Sequence, residues 1–475
     1  MIRLISDILD LFGNGILVYF IFLNFFYVLF IVLSVIGIIR HGALLKYITF
    51  KDMFNQPLVK PVSVIAPAFN EQNNIVENIR GLLALEYPVF EVVIVNDGSR
   101  DQTLERITQA FQLRKTKRVF RKVVVSKPIR GIYVSPIEPK LVVVDKVNGG
   151  SKADAMNAGL NVARYPLFCA IDCDSLIDRD ALLKMARPFH EDPDRTVGVG
   201  GVVRIINDCV TKNGQVEKVR MPRNWLARFQ IIEYMRSFLG SRLGLSKMNS
   251  LLIISGAFGM FRKDVAMECG GYDPTAIGED MELVCRITRI LHERKAKFRI
   301  QFVPDVVCWT EGPEQWKWLI NQRNRWQRGL IQVIQFNSKV LFNHKYGATG
   351  MFALPFYLIF EMLSPLIELL GYLTLAFFIA TKGLNTPFAI KFLLLAVVMG
   401  TLLSLSSIIL EEYAEKRFPR LVDVVILFIC GIVENLGYRQ VIAFTRAKGF
   451  WDYYHGKNEW KSIPRVGFSK EQEKK

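Results

Sequence analysis

Cysteine is sparse and unpatterned: seven residues in 475, an odd number with no CxxC. That excludes a disulfide scaffold and reads as reduced thiols on the cytosolic side. Five histidines (His41, His190, His292, His344 and His455) are scattered along the chain, so no His-based metal site is legible. Glycine and proline, at 33 and 19 residues, are unexceptional, and a hydrophobic fraction of 51% rules out disorder. No GxxxxGK[ST] string occurs, which excludes a P-loop ATPase. Acid is the scarcer charge, with 44 Asp and Glu against 61 Lys and Arg, a net charge of +17. The densest basic run, Arg114–Arg130, holds eight Lys/Arg and no acid. It lacks a motif with stacking aromatics, so nucleic acid is not the expected partner. A solvated loop or a contact with anionic lipid fits it better.

What the chain does have is apolar sequence at both ends. Its length suggests two or three folding units of roughly 100–200 residues each. Gly15–Ile39 runs 25 residues without a charge, about 37 Å as a helix, which is enough to cross a bilayer. A cleaved signal peptide fits poorly. Asp7 and Asp10 oppose Arg3, the apolar run is too long, and it ends at Arg40 without small residues. A retained anchor is expected, followed by an amphipathic stretch, His41–Gln56, with Arg40, Lys46 and Lys51 on its cytoplasmic flank.

From Val59 to about Thr310 the pattern alternates. Short β-branched runs at Val62–Ala66, Val92–Val95, Val123–Val125, Leu141–Val144 and Phe168–Ile171 read as strands. Helical patterns fall between them at Asn74–Leu85, Thr103–Leu113 and Ala153–Ala163. The alternation predicts an α/β fold with a mostly parallel sheet, whose ligands bind at the carboxyl ends of the strands. Glu314–Phe342 interleaves Trp316, Trp318 and Trp326 with Arg323, Arg325 and Arg328, as a helix at a membrane–water interface does. Apolar sequence returns in Met351–Ala380, Pro387–Leu410 and Leu421–Phe444. The first carries Glu361 and Glu368, and the third Glu434 and Arg439. These should face a bundle interior, as buried pairs or along a polar conduit. The expected divisions are 1–58 (anchor), 59–311 (cytoplasmic catalytic domain), 312–345 (interfacial helices), 346–450 (membrane helices) and 451–475 (basic tail). Three C-terminal spans would place that tail outside, although its Arg446, Lys448, Lys457, Lys461 and Arg465 prefer the cytoplasm. Either one segment is re-entrant or hairpin-like, or the tail is external.

Four stretches at strand or helix ends carry chemistry: Pro67-Ala68-Phe69-Asn70-Glu71, Asn96-Asp97-Gly98-Ser99, Asp172-Cys173-Asp174 and Gly278-Glu279-Asp280. Asp172 and Asp174 flank one residue, so an extended segment projects both carboxylates to one side. Without His or thiolate partners, they suit a hard divalent cation such as Mg²⁺ or Mn²⁺. Asp280 sits in a helical first turn, where it either caps the helix or serves as a general base. Lys152, after Gly149 and Gly150 at a helix start, suits a phosphate.

In this order, and followed by Gln322-Arg323-Asn324-Arg325-Trp326, the set resembles membrane-embedded inverting family-2 glycosyltransferases of the polysaccharide synthase type. These are the relatives of cellulose, hyaluronan and poly-N-acetylglucosamine synthases. The likeness spans about Pro61 to Gly329, and the QxxRW element is its most specific part. It implies a GT-A (Rossmann-like) domain binding a UDP-sugar with Mg²⁺ or Mn²⁺, and a β-linked product. By that resemblance Asp97 holds uracil and ribose, while Asp172 and Asp174 surround the diphosphate and its metal. Asp280 is the general base. Gln322 and Arg325 pin the diphosphate, Trp326 roofs the acceptor, and Lys152 lies near the nucleotide. Glu71 joins the donor side, and Glu279 and Phe258 the acceptor side. Trp460 and Arg465 resemble a gating Trp…Arg element of some relatives.

Two departures stand out. Ser151 lengthens the usual GGKA segment and would shift Lys152. Ser255-Gly256-Ala257-Phe258-Gly259 replaces a Cys-containing acceptor segment. No cyclic-dinucleotide-binding domain is appended. The expected product is a growing polysaccharide, exported through the membrane helices with accessory export proteins or as a homo-oligomer in the plasma membrane. A glycolipid-forming transferase and a non-catalytic nucleotide-sugar transporter or sensor are the competing classes.

Overall fold

The computed structural model describes residues 2–45, 59–173, 175–212, 214–380 and 386–456. Asp174, Trp460 and Arg465, most of the tail, and the amphipathic stretch beyond Leu45 lie outside the described residues. The strands are β1 (Val62–Ala68), β2 (Phe90–Asn96), β3 (Arg114–Thr116), β4 (Ile129–Val134), β5 (Leu141–Lys146), β6 (Leu167–Ile171), β7 (Leu176–Ile177), β8 (Thr196–Ile205), β9 (Val210–Lys212), β10 (Gln215–Lys218), β11 (Phe258–Arg262) and β12 (Arg299–Thr310). Ten form one sheet in the order β3-β4-β5-β2-β1-β6-β11-β8-β12-β7, and β9 and β10 pair apart from it.

The strands of the parallel stretch β5-β2-β1-β6 are almost wholly buried on both faces, which is why they read as continuous Val/Ile runs. Helices Ile75–Leu83 and Thr103–Phe111 and, opposite in the connection order, Lys152–Val162 link them. Outside that stretch only β8 and β12 run parallel, and five pairings are antiparallel. The sheet is therefore mixed, not mostly parallel. Hairpin β3-β4-β5 and the returning strand β11 reverse direction, which apolar runs alone do not encode.

Val123–Val125 is not a strand. Its backbone is claimed by side chains instead: Asn161 accepts from the amides of Val123 and Val124 at 2.8 and 3.1 Å and donates to the Val124 carbonyl at 2.8 Å. Asn157 donates to the Val125 carbonyl at 2.9 Å. With those groups satisfied, no sheet ladder is required.

Among the described residues, three helical stretches are long and apolar enough to cross a membrane: Phe12–Ala43, Thr349–Phe377 and Phe388–Ala414. The expected last span is broken. Leu421–Val433 and Tyr438–Tyr454 pass that test only as a pair, bent by 56°. Glu361, Glu368 and Glu434 have partners within the helical bundle, whereas Lys391 in Phe388–Ala414 is exposed. Glu434 is fully buried and pairs with Arg236 at 2.5 Å and Ser404 at 2.6 Å. Glu361 accepts from Tyr27 at 2.9 Å, and Tyr372 donates to Glu368 at 3.1 Å. The first helix docks on the sheet domain through His41, which meets Asp305 at 3.1 Å and Arg187 at 2.9 Å.

Candidate active site

One side of the cleft is built where β1 and β2 end. The Asp97 amide bonds the Ala68 carbonyl at 3.0 Å, and Gly98 takes a left-handed turn (φ 65°) against Asn148. Ser99 accepts from the Asn70 amide at 3.1 Å, and Thr103 from the Glu71 amide at 2.9 Å, so the two loops move as one. The Asp97 carboxylate is buried. Its Oδ1 accepts from the Lys146 ammonium and from the Gly149 amide (3.0 Å), while Oδ2 has one long contact to Asn148 at 3.4 Å. Lys146, fully buried, also pairs with Asp154 at 2.6 Å. An ammonium so placed is stable only because two carboxylates compensate for its lost hydration. Lys146 was missed in the sequence. It ends β5 as Asp97 follows β2, so reading the residues just after Leu141–Val144 would have found it.

The helix Lys152–Val162 starts next. Ser151 is its cap, accepting from the Asp154 amide at 3.3 Å, so the extra residue is absorbed in the turn and Lys152 still points inward. The Lys152 ammonium meets Asp172 Oδ1 at 2.5 Å, the Gly256 carbonyl at 2.8 Å and Glu279 at 3.8 Å. Burial alone would lower its pKa, but Asp172, Glu279 and Asp280 hold it above the ordinary lysine value. Asp172 follows β6, in a turn closed by its carbonyl and the Ser175 amide at 3.0 Å, and its side chain stays 31% exposed.

Gly256 joins the halves. Its carbonyl faces Lys152, and its amide donates to Asp280 Oδ2 at 3.0 Å. Asp280 Oδ1 accepts from the Met281 amide at 2.8 Å. Both oxygens are thus oriented by backbone donors from different segments, beyond what a helix cap alone needs. Glu279 is held toward its neutral form, chiefly by burial and by Asp280, against the pull of Lys152 and Arg325.

The helix Trp316–Phe336 closes the other wall. It touches the Asp280 loop backbone to backbone, since a Cβ on Gly329 would lie 3.2 Å from the Gly278 nitrogen. Gln332 fastens the same loop, accepting from Ile277 at 2.7 Å and donating to Thr275 at 3.1 Å. Trp326 stands 44% exposed with the Arg323 guanidinium 4.1 Å from its ring centre. Arg323 is buried on Glu233 at 2.6 Å, and Tyr438 donates to the same carboxylate at 2.9 Å. Arg323 and Arg328 are both buried. Gln322 accepts from Arg323 at 2.6 Å. Phe258 is a correction: it is fully buried in the sheet core opposite Ile171, so its ring meets no acceptor.

The structure thus gathers Glu71, Asp97, Lys152, Asp172, Glu279 and Asp280 at the carboxyl ends of the strands, with Arg325 acting electrostatically on Glu279. Among the described residues, no group of three acidic, His or Cys side chains forms a metal cluster. Asp172 offers one exposed carboxylate to a hard cation. That fits Mg²⁺ or Mn²⁺, which take one or two carboxylates and complete their shell with phosphate oxygens and water.

The sequence profile described as Glycosyltransferase like family 2 matches residues 60–329, and that described as Chitin synthase matches residues 275–433. A poly-beta-1,6-N-acetyl-D-glucosamine synthase of Staphylococcus aureus (strain MSSA476) is 27% identical over 289 residues, covering 60% of this chain and 58% of that protein. The Staphylococcus epidermidis protein of the same name is 28% identical over 277 residues, covering 58% and 56%. The chain therefore aligns with little more than half the length of these relatives. Among solved structures, the mannosyltransferase PcManGT from Pyrobaculum calidifontis, in complex with GDP-Man and Mn2+, has a TM-score of 0.50 at 19% identity, over 86% of this chain and 99% of that one. At that identity the likeness concerns the fold.

Proposed function

This chain belongs to glycosyltransferase family 2, and from that premise we propose that it transfers a hexosyl group from a UDP-sugar to a growing β-linked polysaccharide. The catalytic domain would lie on the cytoplasmic side of a multi-pass plasma-membrane protein. One observation carries the reading. Gly256 accepts from Lys152 through its carbonyl and donates to Asp280 through its amide, so one residue ties together the two side chains to which this reading gives the diphosphate and the acceptor proton.

In this reading the buried Asp97 turns Oδ2 to the base and ribose, and Glu71 lines the same donor wall. Lys152 leaves Asp172 in part to face the diphosphate, joined by Arg325 and Gln322. Asp280 takes the proton of the acceptor hydroxyl as its oxygen attacks the anomeric carbon from the face opposite the UDP. The carbon–phosphate-oxygen bond breaks, UDP departs with its electron pair, and the α-linked donor becomes a β-linkage. Asp172, with Asp174, would hold Mg²⁺ or Mn²⁺. When bound, such an ion offsets charge on the departing diphosphate. Trp326, stiffened by Arg323, stacks the acceptor sugar.

Export through the helices belongs to the same proposal, which starts from a chain of bonded polar groups inside the helical bundle. Gln327, beside Trp326, accepts from Arg446 at 2.8 Å, Arg446 donates to the Glu361 carbonyl at 2.6 Å, and Glu361 meets Tyr27. The test is to offer the purified protein a panel of radiolabelled UDP-sugars and GDP-mannose with Mg²⁺ or Mn²⁺, then size and digest the product. A long β-linked polymer is the expected result. A discrete glycolipid would replace the polymer reading, and absence of metal-dependent transfer or hydrolysis from every donor would overturn catalysis.

A further inference from the structure

The basic run Arg114–Arg130 has no place in the transfer chemistry, yet it does not simply lie in solvent. Part of it folds over the carboxyl end of the helix Lys152–Val162, opposite the end that carries Lys152. At 1.5 Å per residue the eleven-residue helix separates the two ends by about 16 Å. There a cavity of about 430 Å³ opens, lined by Arg118, Arg121, Arg164 and Lys263 together with Phe120 and Asn161.

Some of this charge has a structural task. Arg118 donates to the Val162 carbonyl at 2.9 Å, and Lys263 to that of Ala163, and both oppose the negative end of the helix. That accounts for two cations and leaves a surplus. Arg121 and Arg164 are exposed and have no acidic partner among the described residues. The carboxylate whose charge acts on Arg118 and Lys263, Glu91, already accepts from Ser63 at 2.8 Å and from the Arg164 amide at 2.6 Å, and reaches Arg118 only at 3.4 Å. The Arg118 side chain is 9% exposed and its Nη1 has no partner among the described residues. A buried guanidinium donor left unpaired costs free energy that a bound anion would return. Burial holds the Arg118 and Lys263 pKa values below their ordinary range against Glu91's pull, helped at Arg118 by the charge of Arg164 and at Lys263 by that of Arg118. The rim is apolar: Val119 is 93% exposed, and Phe120 and Val123 stand open beside it.

We propose that this pocket is a second ligand site, which takes a phosphate-bearing molecule with an apolar body. The phosphate sits among Arg118, Arg121 and Arg164, where guanidinium forks match its oxygens. The apolar part lies on Val119 and Phe120. The ligand comes either from the lipid around the anchor or from a soluble phosphate ester.

The test uses the full chain in a neutral detergent, with saturating UDP to fill the donor cleft and constant ionic strength. The probes are inorganic phosphate and the water-soluble dihexanoyl phosphatidic acid, followed by titration calorimetry and by the shift in unfolding midpoint. Both probes are expected to bind the wild type, and Arg121→Glu/Arg164→Glu is expected to weaken each by about tenfold or more. Both side chains are exposed, so this variant keeps the unliganded midpoint; Phe120→Ala provides a second variant that leaves charge untouched. Tighter binding of the lipid probe, lost in Phe120→Ala, identifies a lipid phosphate. Equal affinity for the two probes identifies a soluble one. If neither probe binds, or if binding survives the charge reversal, the site does not exist. None of these outcomes depends on whether the chain transfers sugar.

Discussion

The two walls of the cleft are seated differently. On the donor wall, Asp97 and Asp172 hang from the ends of β2 and β6, strands that flank β1 in a buried parallel sheet. Their oxygens are held by Lys146, Gly149 and Lys152, all within residues 146–152. On the wall to which the proposal gives the acceptor, Trp326 rides on one helix with Arg325, which the same proposal turns to the diphosphate, and contacts fixing that helix come from far along the chain. They are Glu233, Tyr438, Arg446 and Asp452, the last accepting from Asn324 at 2.9 Å. The donor wall is thus a property of the sheet domain alone, whereas the acceptor wall takes its position jointly from Glu233 and the Asp280 loop of the sheet domain and from the C-terminal helices.

Substitutions test that contrast. Asp280→Asn, at the seam, should cut turnover by roughly 10²–10⁴-fold while UDP affinity by titration stays within a factor of two. Near-normal turnover would remove Asp280 as the base. Lys146→Met strands two carboxylates in the interior and should cost about 3–5 kcal/mol of domain stability in denaturant melts. Adding Asp97→Asn should recover part of it. Glu233→Gln leaves Arg323 buried with a weaker partner. Acceptor KM should rise by about tenfold or more, the loss of one charged hydrogen bond of about 1.5–3 kcal/mol, with a smaller fall in UDP affinity because Arg325 rides on the same helix. An equal loss of UDP affinity would mean that the walls are not separable. Gln332→Ala removes two hydrogen bonds to the Asp280 loop, each worth about 1 kcal/mol, and should slow turnover without altering donor binding.

The smallest expected effect concerns pH. The Glu279 carboxyl is raised by burial and Asp280, so the folded state holds its proton more tightly than the unfolded chain does. Its stability contribution is full below the ordinary glutamate pKa of about 4.3 and is lost as pH rises through the raised folded value. Glu279→Gln should therefore flatten the fall in unfolding midpoint above that range, measured in a pH series.

The α/β GT-A fold was readable because its central strands are unbroken β-branched runs, and the motif carboxylates because they follow those runs directly. Strand direction was not readable: β11 looks like any apolar run, and only pairing with β6 and β8 makes it antiparallel. Val123–Val125 has strand composition, but two asparagines thirty-odd residues away supply its hydrogen bonds. Phe258 sits in a motif-like position, yet its strand register turns it into the core. Glu233, a single acid within the mostly apolar helix Trp225–Met235, gave a signal that becomes specific only once Arg323 is placed against it.

Where Gly278 and Gly329 meet, neither carries a side chain that can act as a spacer, and the polypeptide supplies its own gauge. The span from Asp280 to the Trp326 indole passes through the thickness of two bare main chains. A single methyl group on the helix would have to push the walls apart by a few tenths of an ångström, at the one point where sugar and carboxylate must come within reach of each other. Tolerance at that joint, more than the identity of any charged group, limits how far the helix Trp316–Phe336 can shift while Asp280 keeps its place beside it.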